Sequence, residues 1–309
     1  MIQVSNLSKS YGEKRAIQNL NFTLEKGEVV GLLGLNGAGK TTTIRILTGY
    51  LIPTSGDAKI NGKSIFDEPL EAKKRIGYLP ESPPLYEELN VRDYLLFVAR
   101  IKAVALENID QEIERVLTKT GILKVQDQII GELSLGYRKR VGIAQALIGN
   151  PDVIIMDEPI SGLDPQQIIE IRKLIKDLSG EHTVLISSHI LAEIYKTCDK
   201  FLFIHDGRLK KTYSLIELEE EMEKLSGLEI TLSGKTKSEI ESYLKSILDP
   251  ESKIAFLEED RNGCTYLLNV LDEKSFKQKI FSSLASQNLN LEYLKKQEIS
   301  LEEIFMNRF

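Results

Sequence analysis

The chain has 309 residues, 42% of them apolar, and a formal charge of −6, which supplies core for one large or two smaller domains and excludes a wholly disordered chain. The acidic balance gives no basic footprint for nucleic acid, so no nucleic-acid partner is expected. The longest apolar runs, at 29–35 and 153–156, fall far short of the about 20 residues that cross a bilayer.

Residues 1–7 alternate as a strand does, so no charged and apolar leader is expected at the start. Residues 28–33 read as a short buried strand and 42–47 as the first turns of a helix ended by Gly49. Between them lies Gly34-Leu35-Asn36-Gly37-Ala38-Gly39-Lys40-Thr41, with Walker A spacing. Phosphate oxygens need many donors at once, and a loop without bulky side chains can turn successive backbone N–H groups inward. The helix N-terminus adds partial positive charge. Lys40 is placed for the β- and γ-phosphates, Thr41 for Mg²⁺ and Thr42 for the α-phosphate.

Further along, 77–84 reads as a proline-rich loop carrying Glu81. Val91, Leu95 and Val98 mark one helical face, and Ile109, Ile113, Val116 and Leu117 mark another. Leu133-Ser134-Leu135-Gly136-Tyr137 opens a helix in which Ser134 is an N-cap and, with Gly136, a candidate anion site. Residues 153–156 form an apolar strand that ends in Asp157 and Glu158, at the rim where open α/β sheets bind ligands. Asp157 suits the metal side and Glu158 the proton of an attacking water. A second such strand, 183–187, is followed by His189; His182 and His205 match no pattern and are expected at the surface. Cys198 and Cys264 match no metal spacing, which suits a reducing intracellular compartment.

Taken in order, these motifs resemble the ATP-binding cassette (ABC) ATPases. The family signature Leu-Ser-Gly-Gly-Gln keeps its leucine, serine and second glycine here, with Leu135 and Tyr137 replacing the other two residues. The resemblance implies that Tyr11 stacks on adenine, that 161–164 with Asp164 is the loop crossing a dimer interface, and that His189 is the switch histidine. It also implies ATP and Mg²⁺ as ligands, with Mg²⁺ held by Thr41, Asp157 and Glu81, and a second copy of the chain whose Ser134 and Gly136 close each site. The position of the family's loop glutamine is held by Glu81. A carboxylate accepts but does not donate, so metal and water contact is kept and direct donation to phosphate is lost.

Past a hairpin-like stretch at 201–209, the acidic run 217–223 reads as a helical linker with a solvated face. Strand, helix, strand, strand, helix and strand patterns follow, centred on Leu228–Leu232, Ile240–Ile247, 253–258, 265–270, Phe276–Leu284 and 289–294. That order is ferredoxin-like, and a capping box at 300–303 opens a tail resembling that of drug-export and gliding-type ABC subunits. The expected architecture is an α/β P-loop cassette over 1–215, with a RecA-like core, an antiparallel β subdomain and a helical subdomain at about 85–148, plus an α+β accessory domain over 216–309. The expected function is that of an ATP-hydrolysing subunit on the cytoplasmic face of the membrane. It would power a separate transmembrane permease, most economically an exporter, whose coupling helices the helical subdomain and Glu81 loop receive in the family. A soluble ABC ATPase acting on nucleic acid or ribosomes is the competing reading, disfavoured by the acidic charge and by the single cassette. A regulator without turnover is disfavoured by Glu158 and His189.

Overall fold

Alternating and continuously apolar strands have different fates in the computed structural model of the chain, which describes residues 1–270 and 272–297. The alternating β1 (Ile2–Tyr11) and β2 (Lys14–Leu24) bury one face only. The apolar β3 (Val29–Leu33) is buried along its whole length and feeds α1 (Lys40–Leu47). After β4 (Ser55–Ile60), β5 (Lys63–Ser64) and α2 (Pro69–Lys74) comes β6 (Ile76–Leu79), so Gly77, Tyr78 and Leu79, read from sequence as loop, are strand. Four residues are too few to show a period, and their parallel pairing with the next strand decides the matter.

The helical subdomain holds α3 (Val91–Ile101), α4 (Ile109–Thr120) and α5 (Leu135–Leu147). Asn90 caps α3 by accepting the Asp93 N–H at 2.8 Å, and Gly121 ends α4 in the left-handed region at φ 69°. The rest of the first unit comprises β7 (Val153–Asp157), α6 (Pro165–Asp177), β8 (Thr183–Ser188), α7 (Leu191–Tyr195), β9 (Lys200–His205) and β10 (Arg208–Ser214). A four-stranded antiparallel sheet runs β2-β1-β4-β5, and a six-stranded sheet runs β10-β9-β3-β8-β7-β6 with only the β10 edge antiparallel. The strands nearest the middle of that sheet, β3, β8 and β7, are buried at every residue, and one face packs against α1 and the antiparallel sheet through Val30, Leu32, Ile155 and Leu185.

The chain divides into two compact units, Met1–Leu215 and Ile216–Phe309, with α8 (Leu215–Leu225) beginning at the boundary. The second unit continues through β11 (Gly227–Ser233), α9 (Lys237–Ile247), β12 (Lys253–Asp260), β13 (Gly263–Asn269), α10 (Glu273–Ser283) and β14 (Asn290–Gln297). Its antiparallel sheet runs β12-β13-β11-β14, the split β-α-β connectivity of the ferredoxin-like motif. Leu228, Ile230 and Leu232 bury one face of that sheet with Ile240, Leu244, Phe276 and Ile280 from the two helices, each side chain worth about 1.5–3 kcal/mol of transfer. The capping box at 300–303 lies outside the described residues. Among the described residues, no helix is long and apolar enough to cross a membrane.

Lys102 supports the helical subdomain from below. Its ammonium donates to the carbonyls of Gln145, Ala146 and Ile148 at 2.9, 3.1 and 2.8 Å, groups that the end of α5 leaves without helical partners. Burial pushes its pKa down to about 8, with Glu112 opposing. The unfolded lysine titrates near 10.4, so between the two values the unfolded chain binds more protons and stability rises with pH. This contribution is complete above the unfolded value and is lost as pH falls through about 8. We therefore expect wild type to gain on the order of 1 kcal/mol over Lys102→Met between pH 7 and 9.5 in denaturant titrations. A difference that stays flat with pH would contradict this assignment.

Candidate nucleotide site

The loop from β3 to α1 is held on both sides by backbone. A Cβ on Gly34 would lie 2.4 Å from the Ile204 carbonyl oxygen, and Gly39 combines φ 109° with a Cβ position 2.8 Å from the Ala16 carbonyl, so neither place admits a side chain. The Gly207 N–H donates to the Ala38 carbonyl at 3.0 Å, and the Gln18 N–H donates to the Gly207 carbonyl at 2.7 Å. This relay ties the β9–β10 turn to the loop and to β2. It brings the antiparallel sheet, with Tyr11, to the loop's edge. Lys40 is buried and folds back so that Nζ donates to the carbonyls of Gly34 at 2.6 Å and Leu35 at 3.3 Å. Burial lowers its pKa, while Glu158 and Asp157 oppose that shift.

Parallel register builds the opposite wall. Asp157 on β7 stands beside Ser187 on β8, whose hydroxyl donates to Asp157 Oδ1. Glu158 leaves the strand at φ 49°, a left-handed conformation unusual for a residue with a Cβ. Its N–H donates to the Ser187 carbonyl at 3.1 Å, and its Oε2 accepts from Ser188 Oγ at 3.2 Å. His189, with its side chain 51% exposed, brings Nδ1 within 2.9 Å of the same oxygen. A carboxylate only accepts, so in this pair Nδ1 carries the proton.

One open cleft of about 710 Å³ gathers Tyr11, Asn36, Lys40, Thr41, Glu81, Glu158 and His189 along its lining, together with Gly37, Gly39 and Thr42. Gly34 and Ala38 form the buried inner side of the loop, and Asp157 is buried next to Glu158. Tyr11 is 48% exposed and lies under Lys9 Nζ at 5.2 Å from the ring centroid. Ser134, Gly136 and Asp164 are not in this cleft. They line a separate hollow of about 360 Å³ with Tyr137, Arg140 and Gln167. There Ser134 caps α5, accepting the Tyr137 N–H at 3.4 Å, and Asp164 caps α6, accepting the Gln167 N–H at 2.9 Å. Gln167 packs so closely that a Cβ on Gly136 would meet its Cδ at 2.7 Å.

The structure corrects a further reading and adds residues that sequence reasoning missed. His182 is 1% exposed rather than at the surface, because Nδ1 bonds the Pro151 carbonyl at 2.7 Å beneath the sheet; His205 is half-buried at the end of β9. Lys14, Arg15 and Asp206 line the cleft without having been singled out. Ser187 and Ser188 hold the two carboxylates, and Lys139 is a buried cation between motifs.

Loop, buried lysine and strand-end carboxylates together define a P-loop nucleotide-binding protein. The family described as ABC transporter matches residues 17–161. The chain is 34% identical over 308 residues to the bacitracin transport ATP-binding protein of Bacillus licheniformis, covering 99% of this chain and 96% of that one. It is 38% identical over 225 residues to the lantibiotic transport ATP-binding protein of Streptococcus pyogenes, covering 72% of this chain and 95% of that one. A dimeric bacterial ABC transporter cassette superposes with a TM-score of 0.63 at 26% identity, covering 70% of this chain and 99% of that one. The protein therefore belongs to the ABC transporter ATP-binding subunits, and ATP binding and hydrolysis are its activity.

Proposed function

We propose that this protein is the ATP-hydrolysing subunit of an ABC exporter, working as a dimer on the cytoplasmic face of a membrane beside a separate transmembrane permease. The observation that carries the reading is the division of the site: Lys40, Glu81, Glu158 and His189 share one cleft, whereas Ser134 and Gly136 line another. Two hollows on one chain make whole sites when two copies meet in opposite orientation, each signature facing the other's phosphate loop. The named relatives serve bacitracin and lantibiotic transport, which supports the export direction. The cassette on this reading is 1–215, and 216–309 is an accessory domain, none of whose described residues lines the cleft.

Within the cleft, the loop N–H groups, Lys40 and Thr42 bind the phosphates, while Tyr11 offers a ring for adenine. A divalent cation fits the donor set. Thr41 and Glu81 line the cleft and Asp157 is buried beside Glu158, a small set of hard oxygen donors that suits Mg²⁺, which takes most of its oxygens from phosphate and water. When bound, Mg²⁺ supplies charge neutralisation on the phosphate oxygens. Water attacks the γ-phosphorus as the bond to the ADP oxygen breaks, and the water proton goes to Glu158. His189, through its pair with Glu158, keeps that carboxylate aimed into the cleft.

Purification from native membranes tests the reading as a whole: recovery with a membrane-spanning chain is expected, and recovery with ribosomes or nucleic acid overturns it. Glu81 is tested separately. As a metal and water contact, Glu81→Gln is expected to keep turnover within about threefold, because the amide oxygen still accepts, while Glu81→Ala loses about tenfold or more in Mg²⁺-dependent turnover. An alanine variant with wild-type turnover and Mg²⁺ response would remove Glu81 from the site.

A further inference from the structure

Helix α5, which begins at the signature, is pressed tightly against β6 and the loop that follows it. A Cβ on Gly77 would stand 2.3 Å from the Ala146 carbonyl oxygen, and one on Gly142 would stand 2.6 Å from Leu79 Cδ1 and 3.0 Å from Pro83 Cγ. Two side chains of α5 reach across this contact to backbone. Gln145 Nε2 donates to the Tyr78 carbonyl at 2.7 Å, and Lys139 Nζ donates to the Glu81 carbonyl at 2.6 Å. Lys139 alone of the two reaches a second motif: its Nζ also donates to the Glu158 carbonyl at 3.3 Å.

This lysine is 3% exposed. Burial pulls its pKa down from the ordinary lysine value, while the carboxylates of Glu81, Glu158 and Asp157 oppose that shift. Placing a cation there costs desolvation that an apolar side chain of similar length would avoid. The offset is specific. An ammonium has three donors, which is what is needed to join two separate carbonyls at one point, and one of those carbonyls belongs to a residue held at φ 49°. The loop bearing Glu81 and the turn bearing Glu158 both line the cleft, and among the described residues Lys139 is the side chain hydrogen-bonded to both backbones.

We propose that Lys139 is a positioning residue: it fastens the Glu81 loop and the Glu158 turn to the signature helix, so that the separation of the two carboxylates is set by one buried cation and a displacement of the Glu81 loop reaches Glu158. This inference rests on the reading of Glu158 as the general base. Lys139 does not line the cleft; it acts through the backbone of Glu81 and Glu158, which do. A cassette whose Glu81 loop is moved by a membrane partner would thereby have its hydrolytic carboxylate moved with it, within one chain.

The test is a double-mutant cycle on the full-length protein. Lys139→Met, similar in length and without donors, is expected to lower kcat about tenfold with KM for ATP within about twofold, and Lys139→Arg, which keeps a charged donor, to stay within about threefold of wild type. In a Glu158→Gln, Glu81→Ala background, where both carboxylates positioned by the lysine are already gone, Lys139→Met should change the residual turnover by less than about twofold. A tenfold fall in both backgrounds would show a general structural role and overturn the proposal, as would wild-type kcat in Lys139→Met. Should the methionine variant fail to fold by thermal melt, Lys139→Gln enters the same cycle with the same expected non-additivity. Full turnover in Glu158→Gln alone would remove the base assignment itself, a separate failure read from a separate arm.

Discussion

Glu158→Gln is expected to lower ATP turnover by about 10²-fold or more while leaving ATP affinity nearly unchanged. The amide matches the carboxylate in shape, so the turn at φ 49° and the N–H bond to Ser187 remain. Its oxygen can still accept from Ser188 and from His189 Nδ1, the contacts that hold Glu158 now. What is lost is the capacity to take the proton of the attacking water. On the proposed reading, phosphate binding is carried by the loop amides, Lys40 and Thr42, none of which the substitution touches. Because the closed state is left by hydrolysis, an ATP-held dimer should accumulate, visible as a species of doubled mass in size-exclusion chromatography with ATP. Wild-type turnover in this variant would assign the base elsewhere.

How much of this was legible in the sequence depended on whether function rests on local or distant contacts. The phosphate loop was readable because its pattern is local: Lys40 folds back onto Gly34 and Leu35, and the apolar strand before the loop and the helix after it are set by short-range pattern, whereas the backbone that crowds Gly34 and Gly39 comes from distant Ile204 and Ala16. Asp157 and Glu158 were readable for the same reason, since four consecutive apolar residues, 153–156, announce a parallel strand whose end must face the ligand edge. The groups that hold them were not. Ser187 lies 30 positions from Asp157 and meets it only through the register of β7 on β8. Lys139 and His182 were misjudged or passed over because charge and polarity argue for solvent, whereas both are buried against backbone carbonyls that chain folding alone brings near. Lys14 and Arg15 are ordinary surface residues until the Gly207 relay draws β2 to the loop.

The division of the site between two hollows leads to the second large effect. Ser134→Arg is expected to abolish ATP hydrolysis while each chain keeps wild-type affinity for ATP. The residue caps α5, so losing the cap costs about 1 kcal/mol, too little to unfold the subunit. Its hollow is lined by Gly136, Asp164 and Gln167 rather than by the phosphate loop, so an arginine there does not obstruct nucleotide binding to the same chain. It does obstruct the approach of a second chain's nucleotide. Wild-type activity per molecule should accordingly rise with protein concentration below the dimer dissociation constant. Complementation gives the sharper measurement. In a mixed dimer of Ser134→Arg with Lys40→Ala, one site combines the intact phosphate loop of the first chain with the intact signature of the second, and the other site has neither. Mixing two inactive variants in equal amounts should therefore restore about a quarter of wild-type turnover, since half the dimers are mixed and each has one working site of two. If every site were complete within one chain, mixing would restore nothing, and the paired assignment of Ser134 and Gly136 to the partner's nucleotide would fall.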